Sequence, residues 1–228
     1  MFERLEKIID KDKLELFRNT TVLVVGIGGV GGYVVEALVR SGINNIIIID
    51  KDKVDITNKN RQIIALDSTI GKSKVEVMKN RILDINKECN VICIEDFLLA
   101  ENTYDIIKKY MPDYVVDACD TITTKKEIIR TCVDLDICLI SCMGTGNRLD
   151  PSKLEIIDLR KTSYDPIAKI LRKYVKDEKI KKKIYVLCSK EESIKTGDRI
   201  PGSTSFVPSS AGLLIASFIF RKVINKDK

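Results

Sequence analysis

The chain has 228 residues, 44% hydrophobic and 32% charged, with a formal net charge of +6 and no histidine. Such a composition describes a soluble globular protein, either one large domain or a domain with an extension. It excludes a histidine general base, a histidine triad and histidine metal ligands, so any chemistry must run on other side chains or need no base.

No apolar run reaches the ~18 residues expected of a membrane span. Met1-Phe2-Glu3-Arg4 lacks the apolar segment of a signal peptide, and a cytoplasmic protein is expected. The seven cysteines include no Cys-x-x-Cys pair, which argues against a structural zinc site and for buried thiols. The basic excess suits a polyanionic partner such as nucleic acid, or is simply a lysine-rich surface.

In chain order, Glu3 to Phe17 reads as an amphipathic helix, with an interruption near Asp10-Lys11-Asp12. Val22 to Val25 is a strand that runs into Gly26-Ile27-Gly28-Gly29-Val30-Gly31, and Tyr33 to Arg40 is the helix that follows. A second apolar run, Ile46 to Ile49, closes on Asp50. Strand, Gly-x-Gly-x-x-Gly, helix, strand and terminal acid together make a nucleotide fingerprint. Gly26 permits the tight turn, Gly28 lets amides approach a phosphate, and Gly31 lets the helix pack close. Asp50 would accept hydrogen bonds from ribose hydroxyls. NAD, FAD and ATP all fit this unit.

Asp52, Asn58, Arg61 and Gln62 follow in a loop, then Lys74 opens a helix to Ile85. Gly71-Lys72-Ser73 is not a P-loop, because the glycine required five positions earlier is Leu66. Arg61 and Lys74 either reach back to phosphates at the first turn or are ordinary surface cations. Strands are expected at Val91–Glu95, Tyr114 to Asp117 and Ile137–Ser141, with helices at Thr103 to Tyr110 and Thr123 to Leu135. Asp120 then stands at a strand's carboxyl end, where open α/β sheets bind ligands. The pattern predicts a doubly wound, mainly parallel Rossmann-like sheet.

Beyond Asn147, Leu154–Leu159 and Ile184–Cys188 read as strands. Asp165-Pro166 is a helix start, with Asp at the N-cap and Pro at N1. The lysine- and arginine-rich segment 169–183 is a basic face or a disordered arm. Residues 189–205 form a long polar loop of the kind usually kept for function. Val207 to Ile224 is an apolar helix, too short and polar-flanked for a membrane span, and either buried or at a dimer interface.

Together, Gly26 to Gly31, Asp50, Asn58-Lys59-Asn60-Arg61-Gln62, Ile70-Gly71-Lys72-Ser73-Lys74 and Asp117-Ala118-Cys119-Asp120 resemble the ThiF/MoeB branch of the ubiquitin-activating-enzyme-like superfamily. The resemblance implies ATP with Mg²⁺. It places Gly26, Gly28, Gly29, Gly31, Asp50, Asp52, Asn58 and Gln62 around the nucleotide, Arg61 and Lys74 on its phosphates, and Asp120 at the Mg²⁺. It likens Arg4 to an arginine that enters the partner's site in homodimers. It also implies one domain over 1–228, with an N-terminal helix at 1–18, an ATP-binding core at 19–142, and an extension at 143–228 carrying a substrate-side loop at 189–206.

Within the superfamily, Met143 to Pro151, Lys161 to Ala168, Leu187 to Glu191 and Pro201 to Pro208 look like the tRNA threonylcarbamoyladenosine dehydratase branch. That resemblance implies tRNA bearing threonylcarbamoyladenosine as substrate, a homodimer, a monovalent cation (Na⁺ or K⁺), no zinc, and a sulfur-transfer partner protein as a further candidate. Residues 189–206 contain no cysteine, unlike thiol-transfer relatives. Three other readings stay open: adenylation of a ubiquitin-like sulfur carrier, a non-catalytic nucleotide-binding partner, and a Rossmann dehydrogenase.

Overall fold

A computed structural model describes residues 1–198 and 200–225. Residue 199 of the expected 189–206 loop and residues 226–228 of the expected extension lie outside the described residues.

Seven strands form one sheet: β1 (Thr21–Val25), β2 (Asn45–Ile49), β3 (Asn90–Ile94), β4 (Tyr114–Asp117), β5 (Cys138–Cys142), β6 (Leu154–Asp158) and β7 (Tyr185–Ser189). Their spatial order is β3-β2-β1-β4-β5-β7-β6, and all pairings are parallel except that of β6 with β7. Among the described residues the seven α-helices are α1 (Lys11–Arg18), α2 (Gly31–Arg40), α3 (Lys74–Ile85), α4 (Thr103–Tyr110), α5 (Ile122–Asp134), α6 (Pro166–Asp177) and α7 (Phe206–Ile224).

The strand sequences explain why both faces are covered. In β1, Val22 and Val24 enter one core, while Leu23 and Val25 enter the other; Ile46 and Ile48 of β2 divide from Ile47 and Ile49 in the same way. A strand apolar on both faces must be buried on both, and that is the parallel-sheet solution. Residues from α2, α3 and α7 fill one core, and residues from α4, α5 and α6 fill the other.

Three local expectations need correction. Residues 3–7 form turns, and α1 begins only at Lys11, after Asp10 in an extended conformation. The cluster Asp10-Lys11-Asp12 is therefore the start of the helix rather than a break inside it. Segment 169–183 is not a disordered arm: α6 occupies most of it, and Asp165 caps that helix by accepting the Ala168 N–H at 2.9 Å. Finally, α7 has 19 residues and is long and apolar enough, by length and composition alone, to cross a membrane. Its Val207, Ala211, Gly212, Ile215, Ile219 and Val223 are nevertheless buried in the protein. At Gly212 an added Cβ would lie 2.5 Å from the Val30 carbonyl oxygen, so α7 and α2 meet backbone to backbone. Phe220 meets Phe17 of α1 edge-on, with ring centroids 4.9 Å apart.

Candidate active site

In the strand order, β1 lies between β2 and β4, where the chain's direction of winding reverses. The loops after β1, β2, β4 and β5 meet at the carboxyl edge there, the place where doubly wound sheets leave a crevice.

The glycine turn forms the crevice floor. Gly26 has φ +88°, and its N–H donates to the Ile49 carbonyl at 2.8 Å. A Cβ on Gly31 would lie 1.8 Å from the Gly26 carbonyl oxygen, so no other residue fits this turn. Asp50 locks the turn to β2: its carboxylate accepts the N–H of Ile27 at 2.7 Å and of Asp52 at 2.8 Å. An ionised carboxylate has about four acceptor positions, so two remain for ligand hydroxyls. Val30 caps α2 without a side-chain hydrogen bond; the Gly32 and Tyr33 amides of the first turn donate to the carbonyls of Gly28 and Val30 at 3.1 and 3.0 Å, so it is the partial positive charge of the helix N-terminus that favours an anion here.

Two cations border the floor. Lys74 is 6% exposed, and its ammonium lies 3.0 Å from Asp52 and 4.0 Å from Asp50. Arg61 runs its stem over Gly29, where an added Cβ would lie 3.2 Å from Arg61 Cγ. Its Nη1 donates to the Thr57 carbonyl at 2.9 Å and to Asn60 Oδ1 at 3.0 Å. With those two bonds on Nη1, the Nε–Nη2 edge of the guanidinium fork makes no hydrogen bond among the described residues, and that edge suits a phosphate.

Gln62 supplies a test of fit for a nucleotide. It is 7% exposed, its Oε1 has no hydrogen-bond partner, and its Nε2 lies 3.8 Å from a Cβ built on Gly28. A buried acceptor without a partner beside a phosphate-type turn fits a ligand carrying hydroxyl or amino donors, as a nucleoside does.

Asp120 lies exposed in the loop after β4, and that loop abuts the turn: a Cβ on Gly26 would lie 2.8 Å from the Ala118 carbonyl oxygen. Asn58 is buried, but its Oδ1 accepts the Asp55 N–H at 3.1 Å and so shapes its own loop. Arg4 is not brought to this site. Its segment lies at the far end of α2, where Phe2 stands near Gly42 and under the Arg18 guanidinium. Among the described residues there is no group of three or more His, Cys, Asp and Glu side chains suited to a metal. Mg²⁺ bound to ATP takes most of its oxygens from phosphate and water, so Asp120 alone is an adequate protein donor.

Two buried charge networks behind the site escaped sequence reasoning. Lys125 and Asp117 are both fully buried; the ammonium lies 3.0 and 3.1 Å from the two carboxylate oxygens and 2.8 Å from the Cys142 carbonyl. Burial alone would lower the Lys125 pKa, but the facing Asp117 carboxylate holds it above the ordinary lysine value. This pair ties the ends of β4 and β5 together beneath the loop that carries Asp120.

The second network is Arg148 and Asp165, 2% and 3% exposed and 3.4 Å apart. Asp165 also accepts the Gly144 N–H at 3.1 Å, and Arg148 donates to the carbonyls of Gly144 and Glu191. The Glu191 carboxylate accepts the N–H groups of Leu149 and Asp150 at 3.0 Å each. A lysine inside a helix and an arginine in a loop both read as surface residues, so the sequence carried little signal for either network.

The thiols are quiet. Burial pushes Cys89, Cys93 and Cys188 up to about 11 and Cys142 to about 12, and Cys119 and Cys132 higher still. None of these six is poised as a thiolate nucleophile.

The ThiF family profile matches residues 2–204. This chain belongs to the ThiF family. It is 44% identical to the tRNA threonylcarbamoyladenosine dehydratase of Bacillus subtilis, over 96% of this chain and 92% of that one. Its fold matches E. coli tRNA N6-threonylcarbamoyladenosine dehydratase, TcdA, with a TM-score of 0.91. The AMP complex is 34% identical, over 97% of this chain and 93% of that one. The ATP complex is 35% identical, over 99% and 94%. A probable molybdopterin-synthase adenylyltransferase of Porphyra purpurea is 36% identical, but over only 54% of this chain and 31% of its own length.

Proposed function

We propose that this ThiF-family chain adenylates the threonyl carboxylate of threonylcarbamoyladenosine in tRNA and then closes that group into a ring, with net loss of water. The observation that carries the reading is the gathering of Arg61 and Lys74 around a glycine turn whose buried Gln62 acceptor lacks a partner. The likeness to the tRNA dehydratases, which extends over nearly the whole chain, supplies the substrate.

A carboxylate is already a nucleophile at neutral pH, so its attack on the α-phosphate of ATP needs no general base. That agrees with a chain without histidine. The attack needs alignment and charge neutralisation, which the α2 N-terminus, Arg61 and Lys74 provide. Gly26, Gly28, Gly29 and Gly31 let the backbone come close, Asp50 and Gln62 hold the nucleoside, and Asp52 orients Lys74. Asp120 is the residue to hold Mg²⁺, which supplies further neutralisation at the phosphates when bound. Pyrophosphate leaves and an acyl-adenylate forms. A nucleophile within the same modified base then attacks the acyl carbon and expels AMP, a step favoured because both partners share one molecule.

Lys169, Lys173 and Lys176 stand exposed at i, i+4 and i+7 along α6, whose first turn Asp165 ties to Gly144 at the site. They form a stripe for tRNA phosphates, with affinity that falls as salt rises. Lys182 does not belong to it, because its ammonium is taken by Asp136 and by the carbonyls of Cys132 and Ile137. The protein acts in the cytoplasm as a homodimer, and Arg4 reaches the partner's site. Transfer of a carrier protein through a covalent thioester is disfavoured by the raised thiol pKa values and by a cysteine-free loop.

Incubation with ATP, Mg²⁺ and tRNA bearing threonylcarbamoyladenosine, followed by nucleoside mass analysis, tests this directly. The expected product lacks one water, requires ATP, and is absent with Arg61→Ala or Asp120→Ala. Pyrophosphate exchange seen only when a Gly-Gly-ended carrier protein is added would overturn the reading.

A further inference from the structure

Residues 201–203 lie across the crevice and are held on both sides. On the β5 side, Asn147 donates its N–H to the Gly202 carbonyl at 2.8 Å and accepts the Gly202 N–H on Oδ1 at 2.6 Å. Pro201 packs on Gly146, where an added Cβ would meet it at 2.8 Å. On the β2 side, Asn60 Nδ2 donates to the Ser203 carbonyl at 3.0 Å and to Ser203 Oγ at 3.2 Å. The other end of the same carboxamide, Oδ1, accepts from Arg61 Nη1 at 3.0 Å. One rigid planar group therefore joins the strap over the crevice to the guanidinium beside the glycine turn.

From this geometry we propose that Asn60 is a positioning residue that sets the Arg61 fork only when the 201–203 strap is seated, so that the phosphate site is complete with the substrate side closed. The proposal rests on the reading that Arg61 contacts the phosphates of ATP. Arg61 has a second anchor, the Thr57 carbonyl at 2.9 Å, which holds its stem but not the rotation of its plane. The Asn60 oxygen supplies the second point that fixes that plane. Because the amide nitrogen of Asn60 is on Ser203, movement of the strap tilts the carboxamide and with it the Arg61 Nε–Nη2 edge. A Cβ built on Gly29 would lie 3.2 Å from Arg61 Cγ and 3.3 Å from Pro208 Cβ of α7, so the Arg61 stem runs close over this glycine, beside α7.

The test is a double-mutant cycle on the full-length protein, with AMP release from ATP and modified tRNA as the readout. Asn60 is exposed, so its removal should leave the melting temperature unchanged. Asn60→Ala is expected to lower kcat about tenfold, the value of one hydrogen bond to a charged group, with KM for ATP within about twofold. Asn147→Gly keeps the left-handed backbone of Asn147 (φ +56°) while unclasping the strap, and is expected to cause a similar loss. If Asn60 works through the strap, adding Asn60→Ala to Asn147→Gly should cost less than about twofold more. Should Asn147→Gly melt early, Ser203→Ala replaces it in the cycle, with a smaller loss and the same non-additivity.

Losses that multiply in the double variant, or wild-type kcat in Asn60→Ala, would overturn the coupling. Arg61→Ala measured alongside separates two failures. If Arg61→Ala is inactive while Asn60→Ala is normal, only the coupling falls. If Arg61→Ala turns over ATP like the wild type, the phosphate reading falls and takes the coupling with it.

Discussion

The two walls of the crevice are built by different means. Around the glycine turn, backbone meets backbone: Gly31 on Gly26, Gly26 on Ala118 and Gly212 on Val30, with Asp50 pinning the whole to β2. The facing wall, from Gly144 to Asp150, 189 to 191 and 201 to 203, is held by side chains that grip main chain: Asp165, Arg148, Glu191, Asn147 and Asn60. The first arrangement is stiff and indifferent to substrate, which suits a phosphate site. The second can open one hydrogen bond at a time, which suits a substrate side.

Variants in each wall should separate these roles. Gly31→Ala sets a methyl into the Gly26 carbonyl oxygen and should abolish nucleotide binding. Titration with ATP checks it, and wild-type affinity would show that the turn is not the phosphate site. Asp165→Ala attacks the other wall, leaving the Arg148 guanidinium buried and unpaired. It should cost roughly 3–5 kcal/mol in denaturant unfolding. A loss below about 1 kcal/mol, the range of an exposed pair, would mean that the network holds nothing in place.

The smallest effect lies in the first wall, where Glu36 joins α2 to α3 by accepting from Arg81 at 2.6 Å and Arg40 at 2.7 Å. Burial alone would raise its pKa, but hydrogen bonds from Arg81, then Arg40, hold it below the ordinary 4.5. A lowered acid stabilises the fold above its unfolded pKa, and that contribution is lost as pH falls through the folded value. Glu36→Gln should therefore melt lower than the wild type at neutral pH, with the gap closing as pH drops below 4.5. A gap unchanged in acid would assign the effect to packing.

The same contrast explains what the sequence made legible. The first wall was readable because its parts are short-range or periodic: Gly26 to Gly31 in one turn, Asp50 at the end of the next apolar run, Lys74 at a helix start. The sheet followed from strands apolar on both faces. The second wall was visible as a long polar loop but not as a strap, because Asn60 and Ser203 stand 143 positions apart and Asn147 and Gly202 stand 55 apart. Lys125 escapes notice because a lysine in the first turn of a helix reads as a surface residue, and only the end of β4 shows that it faces Asp117. The N-terminal helix was overextended for the opposite reason: Leu5, Ile8 and Ile9 have helical spacing, yet Ile8 is 78% exposed and that face packs on little.

The central claim is that a carboxylate oxygen of the substrate attacks the α-phosphate of ATP. Labelling the threonyl carboxylate with ¹⁸O and analysing the released nucleotide by mass spectrometry follows that oxygen directly. Adenylation and ring closure leave one labelled oxygen on AMP, because the bond to phosphorus persists when the acyl carbon is attacked. Unlabelled AMP, or label found in orthophosphate, would contradict the account.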